Sequence, residues 1–187
     1  MTPLPFTIRR CEPADQSAIE ALEASVQPYR PEDQPEVDAM HARAALARAS
    51  GEGWIPHQPE SDDIRDMARW YAAFWVAVID ATVVGMVGVR REFMLGSTPP
   101  RDDWHKRDDI AELRRLRVAP EARRMGVGAA LTRAVIDWAR NDGCRVLHLH
   151  TTSPQAPARA LYERLGFTDV GHTLTGEWEY VWYAMDL

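Results

Sequence analysis

Apolar residues recur along this chain with two periods, one suited to strands and one to helices. Residues 6–10 form a short strand candidate, and beyond Pro13 the residues Ile19, Leu22 and Val26 return at helical spacing. Residues 74–79 and 82–89 are nearly continuous apolar, β-branched runs separated by Asp80 and Ala81. A charge at that point is expensive in hydrocarbon, so residues 72–89 read as two strands and a tight turn, and no membrane span is expected. Strands this apolar are covered on both faces, which predicts helices on both sides of the sheet.

The run "IAELRRLRV", residues 110–118, is a strand whose apolar positions change phase: Ile110 alternates with Leu116 and Val118, but Leu113 is out of step. One extra residue near Arg114 or Arg115 would absorb the change as a β-bulge, which bends a strand and interrupts its pairing. A helix over 128–140 follows, with Val127, Ala130, Leu131, Ala134, Val135 and Trp138 on one face, and "NDG" ends it. A strand over 146–151, a helix over 157–165 closed by Gly166, and a hairpin of 167–173 with 179–187 around Gly176 complete the order.

Between the first helix and the central hairpin the texture differs. Residues 27–63 carry prolines at 28, 31, 35, 56 and 59 around a helix candidate over 36–49, and read as an elaborated connection within one 1–187 domain. Ser61 is a candidate N-cap, with Asp62 and Asp63 at the positive end of a helix whose stripe is Ile64, Met67, Ala68 and Tyr71. Residues 92–109 form a long loop.

Composition narrows the function classes. The 187 residues are 45% hydrophobic and 27% charged, enough for one substantial core. A net charge of −6 offers no cationic field for a phosphate backbone, so nucleic acid is not an expected partner. Cys11 and Cys144 cannot build a disulfide framework or a CxxC metal pair, and the N-terminus lacks a basic start followed by an apolar stretch. A cytoplasmic protein is the expectation.

The chemistry gathers at "APEARRMGVGAAL", residues 119–131. A strand followed by a glycine-rich loop and a helix puts the free N–H groups of Met125, Gly126, Val127, Gly128 and Ala129 at the positive end of the helix. Gly126 and Gly128 let an anion approach the backbone, and Arg123 and Arg124 supply charge-assisted contacts, so a pyrophosphate suits the loop. It lacks the Gly-Lys-Ser/Thr of a triphosphatase loop and the third glycine of a dinucleotide fingerprint.

"ELRRLRVAPEARRMGVGAAL" resembles the bulged fourth strand and coenzyme A loop of the GNAT superfamily of acyl-CoA-dependent N-acyltransferases, with Arg123, Gly126 and Gly128 on its Arg/Gln-x-x-Gly-x-Gly/Ala pattern. "ALYERLGF", residues 160–167, resembles its second motif, and the element order matches over nearly the whole chain. The resemblance implies an α/β (α+β) fold: a mixed, mostly antiparallel sheet splayed between its fourth and fifth strands, with helices on both faces. It implies acetyl-CoA as co-substrate; no metal is expected, because His148 and His150 lack a third ligand at useful spacing. Pantetheine would lie in the opening, bonded by the backbone of Leu116, Arg117 and Val118, where an N–H would polarise the thioester carbonyl.

By the same resemblance, Tyr162 stands where a tyrosine protonates the departing thiolate, and a phenol is protonated at neutral pH. Glu112 is the first candidate for the base that frees the acceptor amine, with His148 and His150 as further candidates. Gln155 replaces an asparagine that often contacts coenzyme A. Trp54, Trp104 and Trp178, with Tyr29, His105, Glu177 and Tyr180, fall where acceptor specificity resides in this superfamily. Carboxylates nearby, including Glu36, Asp102, Asp103, Asp108 and Asp109, could attract a cationic amine. The expectation is direct acetyl transfer to a primary amine of a small molecule or peptide, with a homodimer allowed. A non-catalytic acyl-CoA-binding sensor, or an acyltransferase with a longer acyl donor, stays open as an alternative.

Overall fold

The computed structural model describes residues 5–26, 29–56, 63–91 and 104–187. Ser61, Asp62, Asp102, Asp103 and most of the expected 92–109 loop lie outside the described residues, as does the side chain of His105.

Among the described residues eight strands form one sheet: β1 (Thr7–Arg10), β2 (Trp54–Ile55), β3 (Ala73–Ile79), β4 (Thr82–Arg90), β5 (Ile110–Val118), β6 (Val146–Thr152), β7 (Thr168–Thr175) and β8 (Trp178–Asp186). Their order is β1-β3-β4-β5-β6-β8-β7-β2. Only β5 with β6 and β2 with β7 run parallel, so the sheet is mixed and mostly antiparallel as expected. The two-residue β2 is too short to show an alternation, and it shifts the count: the expected fourth and fifth strands are β5 and β6. The β3–β4 turn has both central residues left-handed, Asp80 at φ 45° and Ala81 at φ 66°, which matches the twist of a tight hairpin.

The helices are α1 (Gln16–Ser25), α2 (Gln34–Ser50), α3 (Met67–Trp70), α4 (Val127–Asn141) and α5 (Ala156–Arg164). Helix α4 buries Val127, Leu131, Val135, Ile136 and Ala139 against β3, β4 and β5. A Cβ on Gly85 of β4 would meet Val127 and Leu131 of α4, whereas one on Gly88, three residues along, would meet Tyr71 and Phe74. The two faces of the sheet are therefore packed by different layers, with α1 also against β4 and β5. Helix α2 lies on β8, β7 and β2, so the elaborated connection covers the far end of the sheet.

One expected element differs. The helix predicted from about residue 61 is only the single turn α3, and residues 63–66 are a turn. Asp63 is not an exposed acid at a helix N-terminus: it is 1% exposed and bonded to Arg90, Tyr71 and Arg115. A buried carboxylate must be paired, and these long-range partners override the local helical pattern.

The expected bulge is present. Gly88 pairs with Arg114 and Met86 with Arg117, so Val87 of β4 faces both Arg115 and Leu116 of β5, and Arg115 is left-handed at φ 56°. The extra residue explains the phase change. Ile110 joins Trp104, Val146 and Trp182 in one cluster, while Leu113 and, past the bulge, Leu116 and Val118 pack with the main core. On its other side β5 pairs with β6 only at Ile110–Val146, Ala111–Leu147 and Glu112–His148. From Leu113 onward the two strands part.

Candidate functional site

The opening between β5 and β6 is bordered by the loop that follows β5. Pro120–Ala122 makes a 3-10 turn, Arg124 is left-handed at φ 64°, and Gly126, at φ 89°, is the N-cap of α4. The first bond of this helix end runs from the Ala130 N–H to the Gly126 carbonyl. Among the described residues no backbone carbonyl accepts from the N–H groups of Met125 to Ala129, so five consecutive amides stand at the positive end of a 15-residue helix. The two glycines do different work. A Cβ on Gly126 would meet nothing within 4 Å, so its backbone is open to a ligand and its φ is what demands glycine. A Cβ on Gly128 would come within 3.3 Å of Leu161 and 3.7 Å of Val118, so glycine here lets α4, α5 and the end of β5 meet. The Arg123 guanidinium donates to the Val118 carbonyl at 3.4 Å, tying the loop to the strand.

Helix α5 brings Tyr162 to the same place. Its ring packs against Phe167 and Tyr183, it is 5% exposed, and burial pushes its phenol up to about 12 against the opposing pull of the Arg117 charge. Tyr162 is therefore a phenol that stays protonated, close enough to β5 to feel Arg117. At the start of α5 the Gln155 side-chain carbonyl accepts from the Thr151 hydroxyl at 2.9 Å.

Glu112 is the last β5 residue paired with β6, and it is 2% exposed. Burial alone would raise its carboxyl; the positive charge of Arg114, with the His150 and His148 imidazoles turned towards it, outweighs this and holds it well below the usual carboxylate range. Its Oε1 lies 3.5 Å from Arg114 Nη1 and 3.4 Å from His150 Nδ1, the latter without hydrogen-bond alignment. Its Oε2 is buried and has no hydrogen-bond partner among the described residues. A guanidinium only donates, so its 2.9 Å contact with His150 Nε2 places the imidazole proton on Nδ1, towards Glu112. His148, 1% exposed, lies between Trp104 at 4.7 Å and Trp182 at 6.1 Å. Among the described residues no group of three His, Cys, Asp or Glu could hold a metal ion.

The three tryptophans are separate. Trp104 is 1% exposed over His148. Trp178 stacks on Tyr29 and meets the edge of His41, while Tyr29 Oη and Thr152 Oγ1 are 2.7 Å apart at the end of β6. Trp54 donates to the Gly176 carbonyl at 2.9 Å and so ties β2 to the closing hairpin, away from the β5–β6 opening.

Residues 39–167 match the family model described as the acetyltransferase (GNAT) family. The chain belongs to the GNAT family. Its relatives include a probable N-acetyltransferase camello of Xenopus tropicalis, 38% identical over 56% of this chain and 45% of the relative. N-acetyltransferase 8 of Homo sapiens is 35% identical over 62% and 49%, and N-acetylaspartate synthetase of Xenopus tropicalis 33% over 58% and 37%. The chain thus spans less than half the length of these relatives. Among solved structures, a GCN5-related N-acetyltransferase from Kribbella flavida aligns over 100% of both chains with a TM-score of 0.61 at 22% identity. An acetyltransferase from Salmonella typhimurium, solved with its cofactor acetyl-CoA, aligns over 98% of this chain and 94% of its own, with a TM-score of 0.62 at 19% identity. These likenesses are of fold.

Within this GNAT fold, one set of residues was not anticipated. Asp63, Tyr71 and Arg90 form a buried cluster that extends through Arg115 to Glu23 of α1, whose carboxylate also meets Arg117. The available signal was "RRLR" inside an apolar strand, since guanidinium groups carried into a core need carboxylates brought to them.

Proposed function

We propose that this chain is an acetyl-CoA-dependent N-acetyltransferase that moves an acetyl group directly to a primary amine of a small molecule or peptide. The observation that carries the reading is the conjunction of the parted β5 and β6 with five amides at the α4 N-terminus that have no backbone acceptor among the described residues, against the same end of β5. Family membership and a neighbour solved with acetyl-CoA support it. The amides of Met125, Gly126, Val127, Gly128 and Ala129 would take the pyrophosphate, and Arg123 and Arg124 would add charge. The edge of Leu116, Arg117 and Val118 that β6 leaves unpaired would bond the pantetheine amides, with the Arg117 and Arg123 guanidinium groups moving off the Leu116 and Val118 carbonyls where the ligand needs them. Gln155, its side-chain carbonyl held by Thr151, would offer the coenzyme its side-chain NH2.

In this reading the amine nitrogen attacks the thioester carbonyl carbon, the C–S bond breaks, and the proton shed by the nitrogen leaves through Glu112. Its unpartnered Oε2 can accept from a water or from the ammonium directly. Tyr162 donates a hydrogen bond to the sulfur as negative charge develops there. A phenol at about 12 stabilises a thiolate without surrendering its proton outright, because a thiol is ordinarily the stronger acid, near 8.5. The acceptor would enter on the side of β6 bearing His150, Tyr29 and Thr152, with Trp178 behind Tyr29 and Trp104 beneath His148. A cytoplasmic setting belongs to the same proposal, with a homodimer allowed.

The experiment is release of free CoA thiol from acetyl-CoA across amines, amino acids, aminoglycosides and peptides, with wild type beside Tyr162→Phe. Turnover slowed in the variant supports the reading. Tight acetyl-CoA binding with no turnover on any acceptor favours the non-catalytic sensor, and turnover only with longer acyl thioesters favours the other donor.

A further inference from the structure

Arg115 is the residue that makes the bulge, and its backbone is left-handed at φ 56°, a region that L residues with a Cβ rarely occupy. No glycine, asparagine or aspartate relieves that conformation. What holds it comes from outside the strand. Asp63 Oδ1 accepts from Arg115 Nη2 at 2.6 Å and from Nε at 3.2 Å, a two-pronged grip, and Glu23 Oε1 accepts from Nη1 at 3.1 Å. The carboxylate is anchored in turn, because Tyr71 Oη and Arg90 Nη2 both donate to Asp63 Oδ2. Arg90 is 3% exposed and lies over the Tyr71 ring at 4.7 Å. The grip therefore runs from a buried carboxylate on the connection before α3, through one guanidinium, to the bulge of β5 just beyond its last pair with β6.

We propose that Asp63 is a positioning residue for the acyl-CoA site: by holding Arg115 it keeps β5 bulged, and so sets the opening between β5 and β6. The inference rests on the acyl-CoA reading above for its ligand, but the bulge can also be observed without one. Asp63 touches no reacting atom. It acts on the backbone amides of Leu116 to Val118 by fixing the strand that carries them.

Four proteins test this: wild type, Asp63→Asn, Arg115→Val and Arg115→Gly, each with acetyl-CoA affinity by calorimetry, steady-state kcat and KM, and amide hydrogen exchange. Valine resists the left-handed region and glycine accepts it, so the pair at position 115 separates backbone conformation from loss of the guanidinium. The expected result is a tenfold or greater loss of acetyl-CoA affinity for Arg115→Val and Asp63→Asn, appearing in KM more than in kcat. Exchange should speed up at Leu116–Val118, and Arg115→Gly should lose far less. Equal losses for the valine and glycine variants would overturn the proposal, as would a folded Asp63→Asn that binds acetyl-CoA like wild type. Should Asp63→Asn fail to fold, the comparison at position 115 still decides. If wild type itself binds no acetyl-CoA, the acyl-CoA reading fails, while exchange at Leu116–Val118 in the variants still shows whether Asp63 and Arg115 hold the bulge.

Discussion

Arg114 and His150 share one hydrogen bond, 2.9 Å from Nη1 to Nε2, in which the guanidinium is necessarily the donor. The imidazole lone pair is thereby occupied, and the ring nitrogen that carries the proton faces Glu112. Of the candidate bases, Glu112 retains an unengaged oxygen while His150 does not offer an unengaged lone pair. Glu112→Gln is expected to lower kcat by about 10²-fold or more, in the range of general-base losses, with acetyl-CoA affinity kept. His150→Gln is expected to lower it by less than about tenfold on the same scale. Steady-state kinetics with a fixed acceptor separates them, and the reverse ranking would make His150 the base.

The same carboxylate shapes the acid stability of the fold. Its folded-state value lies below its ordinary 4.5, so its contribution is present above about pH 4.5 and is lost as pH falls further. Thermal midpoints across pH 3 to 7 should drop on the acid side for wild type, with a shallower drop in Glu112→Gln. In turnover the carboxylate stays ionised throughout the neutral range. The rise of kcat/KM with pH should therefore track the acceptor ammonium, near 8 for an α-amine, and move when the acceptor is changed.

Tyr162→Phe keeps the ring against Phe167 and Tyr183 and removes only the hydroxyl. The expected outcome is unchanged acetyl-CoA affinity and unchanged melting, with kcat down by about tenfold to a hundredfold, the scale of one lost transition-state donor. Since the phenol sits at about 12, wild type should show no alkaline fall in kcat below about pH 10 that the phenylalanine variant lacks.

Two substitutions in the loop should part binding from stability. Gly126→Ala forces a Cβ into φ 89°, which costs about 1–2 kcal/mol, and places a methyl where nothing stands within 4 Å. Coenzyme affinity should fall more than the melting temperature. Gly128→Val instead presses on Leu161 and Val118, so destabilisation of about 1–3 kcal/mol should dominate, as for overpacking elsewhere. Calorimetry and denaturant unfolding of both variants check the contrast.

Gly88→Ala tests the packing beneath the buried cluster. The new methyl would stand 2.5 Å from the Tyr71 ring and 2.8 Å from that of Phe74, rings that meet edge to face 5.1 Å apart. Loss of about 1–3 kcal/mol in urea unfolding is expected.

What could be read from the sequence was whatever depends on neighbours in the chain. The phase change between Leu113 and Val118 located the bulge because alternation along a strand is local, and the loop of Gly126 and Gly128 showed itself through the helix it begins. Asp63 could not be placed that way. Its spacing from Ile64 and Met67 fits the first turn of a helix, while its partners Arg90 and Arg115 lie 27 and 52 residues away. Trp54 reads as an aromatic in a specificity loop, yet its indole is a strut to Gly176, 122 residues on. Local patterns report elements, and the pairing of charges reports their assembly.

The three-residue pairing of β5 with β6 has one more consequence. Unpaired backbone is usually a hazard of a sheet's rim, where another chain can add itself as a further strand. Here the bare edge is interior, flanked in the same plane by strands that rejoin at Glu112 and His148. The cleft is closed at one end, where the two strands pair. The unpaired backbone of β5 is thus kept inside the sheet, away from its rim at β1 and β2.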